Sequence, residues 1–122
     1  MLITYGTYTG NGSDGHAITG VGFAPDVVMV KDKNNGNNFI WKSKSMSGNN
    51  CLSWREDGGF FTDGIKTLDA DGFTLGTTGR ANSNSDVYAY VAIKDDGSGD
   101  FHYGTYTGNG SSGHAITGVG FQ

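Results

Sequence analysis

Cysteine and proline are nearly missing from this chain, which has one of each, Cys51 and Pro25. A lone cysteine excludes an intrachain disulfide, and paired-thiolate spacing for a structural zinc site is absent as well. In the run CLSW, Cys51 reads as a small core hydrophobe, since no basic neighbour or helix start is in view to stabilise a thiolate. One free thiol suits a protein folded in a reducing cytoplasm and released later. Basic residues number eight and are scattered, against twelve acidic ones, so the basic face that nucleic acid requires is lacking. No run approaches the roughly 18 apolar residues of a membrane span. The opening MLITYGTYTG has neither a basic n-region nor an apolar h-region, so no signal peptide is expected.

Glycine, by contrast, is abundant: 22 of 122 residues, without the three-residue period of collagen. The glycines separate short apolar or aromatic runs, where turns and bulges need positive φ, and no long 3.6-residue pattern appears. Such punctuation predicts an all-β domain, a compact antiparallel β-sandwich or barrel of about eight short strands. Val27–Lys31 reads as a central strand, Asn34–Asn38 as a hairpin loop and Phe39–Lys42 as its return strand. Cys51–Trp54 reads as a short strand, Arg55–Gly59 as a turn, and Thr67–Gly76 as a strand, an Asp-rich turn and a strand. His16–Phe23 is expected to place Ala17, Thr19, Val21 and Phe23 on one face. Val87–Ile93 is expected to close the unit with Val87, Ala89, Val91 and Ile93 inward and Tyr88 and Tyr90 outward.

One feature dominates the organisation. Residues 5–23, YGTYTGNGSDGHAITGVGF, return at 103–121 with a single difference, Asp14 against Ser112. A second copy this short is not a domain. It reads as the start of another unit in a tandem array with a period of about 98 residues. The expected division is a complete unit at 3–99, joined through the polar stretch Asp95–Asp100 to the first hairpin of the next repeat, 100–122. The alternative takes 24–121 as the folded unit. The Asn11-Gly12 pair marks the turn of that hairpin. Unpaired strand edges invite pairing. The second copy is therefore expected to dock on a sheet, of a neighbouring molecule or of its own domain, through Tyr103, Thr105, Tyr106, His114, Ile116, Val119 and Phe121.

The segment TYTGNGSDGHAITGVGFAPDVVMVKDK, followed by LDADGFTLGTTGRANSNSDVYAYVAIK, resembles an uncharacterised tandem-repeat β domain of bacteriophage tail-fibre-like structural proteins. The matching positions are Asn11, Gly12, Gly22, Phe23, Pro25, Asp26, Asp71, Gly72, Phe73, Leu75, Gly76, Tyr90, Val91 and Ala92, in the family's order and spacing. Met29 and its valine neighbours stand where an aromatic is common in that family, and WKSKSMSGNN matches poorly. The resemblance implies a non-enzymatic structural repeat domain of a phage tail fibre or similar virion appendage, serving fibre assembly and host-surface attachment. It implies location in the virion tail or outside the cell after synthesis in the host cytoplasm, and it brings no catalytic residues and no cofactor.

The residues themselves offer little for chemistry. His16 and His114 are one position in two copies, and no HExxH or other transition-metal spacing occurs. Asp69, Asp71, Asp95, Asp96 and Asp100 lack the later ligands of a calcium loop, so no metal is expected. Glu56, Asp57 and Asp63 beside glycines are ordinary turn chemistry rather than a glycosidase pair. Ser43, Ser45 and Ser47 lack a G-x-S-x-G setting, so neither catalytic residues nor cofactors are expected. The aromatic residues are more informative, because a flat ring can meet the CH face of a sugar. Trp41, Trp54, Tyr88 and Tyr90 are the candidates for contact with a cell-surface glycan, which would make the chain a carbohydrate-binding module. A bacterial adhesin or polymerising extracellular filament subunit is the third reading, and head-to-tail or homo-oligomeric self-association is the expected partnership.

Overall fold

The computed structural model describes residues 1–54 and 59–121. Among these lie eight strands: β1 (Leu2–Thr9), β2 (His16–Thr19), β3 (Val27–Asp32), β4 (Ile40–Ser43), β5 (Leu52–Ser53), β6 (Ile65–Asp69), β7 (Gly72–Leu75) and β8 (Val87–Lys94). They form a five-stranded sheet in the order β1-β8-β3-β4-β5 and a three-stranded sheet in the order β2-β7-β6, with every pairing antiparallel. The two sheets pack face to face, so the expected all-β fold is a β-sandwich. The apolar run of β3 is the central strand of its sheet. Its hairpin with β4 turns at the Asn-rich loop, and β6 and β7 turn at Asp69–Gly72. Of the expected turn at Arg55–Gly59, residues 55–58 lie outside the described residues.

The core is built from Ile18, Val28, Val30, Ile40, Cys51, Ile65, Phe73 and Leu75, joined by Tyr8, Tyr88 and Tyr90. Two expected facings are corrected here. Tyr88 and Tyr90 point inward, not outward: Tyr88 is fully buried and Tyr90 nearly so. Tyr8 stacks on Tyr88 with ring centroids 5.3 Å apart, and Phe73 meets Tyr90 edge-on at 5.4 Å. A buried phenol needs a partner for its hydroxyl. The loop between β7 and β8 supplies them. Tyr88 Oη donates to the Gly79 carbonyl at 2.7 Å and accepts from the Ser83 N–H at 2.9 Å, while Tyr8 Oη donates to the Ala81 carbonyl at 2.8 Å. With the hydroxyls satisfied, the large rings fill the core better than the aliphatic residues that alternate with them. Val87, Ala89 and Val91 therefore take the outer face.

β2 shows the second inversion. Ile18 is buried while Ala17 and Thr19 are exposed, and the strand ends before Val21 and Phe23, which turn back to the core from the following bend. The hairpin expected at 5–23 is not one either. β1 pairs with β8 and β2 pairs with β7, so the Asn11–Gly15 connection crosses from one sheet to the other. Splitting these strands lets one short segment, residues 2–23, close an edge of both sheets.

Asn82 holds this crossing segment in place. Its buried amide makes four hydrogen bonds: Oδ1 accepts from the Asn11 N–H at 2.9 Å and lies 2.8 Å from His16 Nδ1, and Nδ2 donates to the Ser13 and Gly76 carbonyls, each at 2.8 Å. Gly10 lies so close to the same loop that a Cβ there would sit 2.1 Å from the Ser83 carbonyl oxygen. At the far end, Asp71 grips the backbone, accepting from the Gly20 N–H at 3.1 Å and the Gly22 N–H at 2.6 Å. Both glycines have positive φ, 82° and 92°, and their two N–H groups converge on one carboxylate while the Val21 N–H between them donates to the Asp71 carbonyl.

The inward tyrosines lead to a direct test. Tyr88→Phe leaves the Ser83 N–H and the Gly79 carbonyl without their partner and should cost about 1–3 kcal/mol in urea unfolding. Val91→Thr, on the outer face of the same strand, should stay within about 0.5 kcal/mol of the parent. The reverse order would place the tyrosines outside.

Candidate functional site

The outer face of the five-stranded sheet carries a continuous row of apolar side chains. Strand register builds it row by row. Tyr5 lies opposite Val91, Val91 opposite Met29, Met29 opposite Trp41 and Trp41 opposite Leu52, a row that crosses all five strands. Beside it run Thr7, Ala89 and Lys31. Sheets that face water on one side usually alternate apolar-in and polar-out. Here the outward positions are apolar too. Tyr5 is 82% exposed, Ile3 55% and Trp54 63%, and Met29, Trp41, Val91 and Leu52 are half-buried.

A shallow cleft of about 250 Å³ opens on this face, lined by Met29, Lys31, Phe39, Ala89 and Val91. Trp54 extends its margin by stacking on Phe39, with ring centroids 5.2 Å apart. The nearest cation, Lys31, is already engaged: its Nζ donates to the backbone carbonyls of Asp32 at 3.0 Å, Asn35 at 3.4 Å and Asn37 at 2.6 Å. What remains is a flat, aromatic and almost entirely apolar surface.

The end of the face at the start of β3 is polar. Asp26 is nearly buried, paired with Lys44 Nζ at 2.6 Å, and accepts from the Asp95 N–H at 2.8 Å. Burial alone would raise its pKa, but Lys44 and the Asp95 N–H outweigh that and hold the carboxyl below its usual value. Tyr103 lies half-buried at this end. Burial, then the negative charge of Asp26, pushes its phenol up.

Of the residues singled out as glycan contacts, Trp41 and Trp54 do reach this face, whereas Tyr88 and Tyr90 are in the core behind it. Tyr5, Met29, Phe39 and Val91 belong to the face and were missed. For Val91 the signal was the alternation of β8 itself, read with the opposite sign. Each aspartate considered as a calcium ligand has local work. Asp69 accepts from Thr74 Oγ1 at 2.7 Å, Asp71 holds Gly20 and Gly22, and Asp95 accepts from the Gly97 N–H at 2.9 Å. Asp96 and Asp100 flank the Met1 amine at 2.6 and 2.8 Å. Among the described residues no group of three His, Cys, Asp or Glu side chains is placed to hold a metal ion. Asp63 accepts from Thr77 Oγ1 at 3.2 Å, while Glu56 and Asp57 lie outside the described residues. The Cys51 thiol is fully buried, and burial pushes its pKa up, away from a reactive thiolate.

The second copy stands apart. Residues 103–121 pair with no strand among the described residues. Beyond Tyr103, the side chains proposed for self-association, Thr105, Tyr106, His114, Ile116, Val119 and Phe121, are all exposed. Among the described residues no helix is long and apolar enough to cross a membrane.

Asp26 sets a pH dependence. Its folded pKa lies below the unfolded value, so the stability it contributes is present at neutral pH and is lost as the pH falls through the folded value. Asp26→Asn should therefore be less stable than the parent at pH 7, and its stability should fall less between pH 5 and pH 2. Parallel curves in denaturant titrations would exclude this role.

Among known families, residues 3–100 match the model described as "Domain of unknown function (DUF7483)". No curated protein and no solved structure matches the chain.

Proposed function

Because the chain belongs to the DUF7483 family, a domain of unknown function, we propose from its own geometry that it is a non-enzymatic structural repeat domain of a phage tail fibre or similar virion appendage. The observation that carries this reading is the recurrence of residues 5–23 at 103–121, one domain followed by the opening of the next. A chain of such units lengthens a fibre and multiplies weak contacts, which raises avidity without a tight single site. The outer apolar face suits lateral packing in such an assembly. It offers broad flat area and few free polar groups, the balance that protein contact favours. Work at the virion tail or another extracellular appendage follows from this role, with other copies of the chain as the main partner.

A carbohydrate-binding module is the second reading, and Trp54 favours it. An exposed indole stacked on a second ring is a platform for a pyranose face. Polar groups to orient the sugar are scarce there, because Lys31 is committed to its own loop. That scarcity ranks the glycan reading below the structural one, and below it the bacterial adhesin or filament subunit has no observation of its own.

Two measurements separate the readings. Tandem arrays of two, three and four units should show a maximum dimension in small-angle scattering that rises by a constant step per unit. Arrays that collapse to one compact particle would sink the fibre role. A glycan array with hits that vanish in Trp54→Ala would instead establish the carbohydrate module.

A further inference from the structure

The edges of β8 and β7, with the loop around Asn82, form a seat that is filled by residues 2–23. We propose that this seat also accepts the chain's second copy, residues 100–121, so that the domain can close on either copy of the repeated stretch. The inference does not depend on the fibre reading.

Three observations carry it. The first is chemical identity at the contact points from residue 5 onward, while Leu2, Ile3 and Thr4 have Asp100, Phe101 and His102 as counterparts. Gly10, Asn11, Gly12, Gly15 and His16, which bond to the loop 82–86 and to β7, recur as Gly108, Asn109, Gly110, Gly113 and His114. Tyr8 and Ile18, which enter the core, recur as Tyr106 and Ile116.

The second is that the unpaired copy already holds the seated shape. Gly12, Gly15, Gly20 and Gly22 have φ of 70°, 81°, 82° and 92°, and their counterparts Gly110, Gly113, Gly118 and Gly120 have 74°, 78°, 81° and 89°. Asn11 Oδ1 accepts from the Ser13 N–H at 2.9 Å, and Asn109 Oδ1 accepts from the Ser111 N–H at 2.9 Å. The Tyr8 and His16 rings meet edge-on at 6.1 Å, and those of Tyr106 and His114 at 6.4 Å. An arm that keeps its bound form while free loses little entropy on docking.

The third is reach. Leu2 is paired with Lys94, and Asp100 is the counterpart of Leu2. Seating the second copy therefore turns residues 95–99 into the loop of an ordinary β-hairpin between β8 and its new neighbour. The linker already passes the spot: Met1 N donates to Asp96 Oδ1 at 2.6 Å, Ser98 Oγ at 2.8 Å and Asp100 Oδ1 at 2.8 Å. So short a tether makes the exchange intramolecular, at an effective concentration in about the millimolar range.

A glycine of the seated segment that lies hard against the loop provides the test in the full chain. Gly10→Ala drives a Cβ into the Ser83 carbonyl, whereas nothing lies within 4 Å of a Cβ at Gly108. The expected result in Gly10→Ala is a monomer in which NMR amide-exchange protection leaves β1 and appears at 103–107, each change about tenfold or more. Gly108→Ala should match the parent, and the double variant should protect neither segment and unfold at a lower denaturant midpoint than Gly10→Ala. The proposal is overturned if Gly10→Ala and the double variant behave alike, including the case where both fail to fold while Gly108→Ala folds. It is overturned equally if Gly10→Ala protects 103–107 only as a dimer.

Discussion

The side-chain amide of Asn82 is the constraint on which the sandwich depends. A buried amide has one acceptor and two donor hydrogens, and this one uses all of them. Its partners come from the crossing segment between β1 and β2 and from the end of β7, so one side chain fixes where the two sheets meet. A buried polar group in that position is stabilising only while every partner is present. The tight glycines around it follow from the same demand, because the crossing segment must approach the loop closely enough to reach the amide. Tyr8 and Tyr88 depend on that loop as well, since its carbonyls satisfy their hydroxyls.

Most of the strand inventory was legible in the sequence because turn chemistry is local. Asn-Asn-Gly between β3 and β4 and Asp-Ala-Asp-Gly between β6 and β7 mark hairpins that the structure contains. Strand facing was not legible. In β8 the alternation is plain, but which set faces inward depends on hydroxyl partners contributed by a loop that shows no pattern of its own. Valine and isoleucine were the natural core choice, yet the core took the larger rings. The Asn-Gly turn at 11–12 misled for a related reason. A two-residue turn implies a hairpin only if its flanking strands find each other, and here each found a better partner, β8 and β7.

That inversion also explains the outer face. Once tyrosines fill the interior, Ala89 and Val91 of β8 face outward beside Met29, Trp41 and Tyr5. Its tryptophans could be picked from composition, because large flat rings stand out. Its floor could not, because Met29 and Val91 look like core residues until the sheet register is known. The resulting surface is a broad apolar row carried on the sandwich.

Within the repeated stretch the two copies differ only at Asp14 and Ser112, and Asp14 forms an ion pair with Lys66 at 2.8 Å. The Asp14 carboxylate is well exposed, so the attraction is weak and screened by salt. Local shape and every other side chain in this stretch are shared by both copies, so both offer the seat the same apolar and backbone groups. This ion pair and those of the Met1 amine with Asp96 and Asp100 are the part of the bias that salt can reach, so ionic strength becomes a dial on which copy stays bound. Dilute buffer favours the first copy, and brine moves the two toward parity.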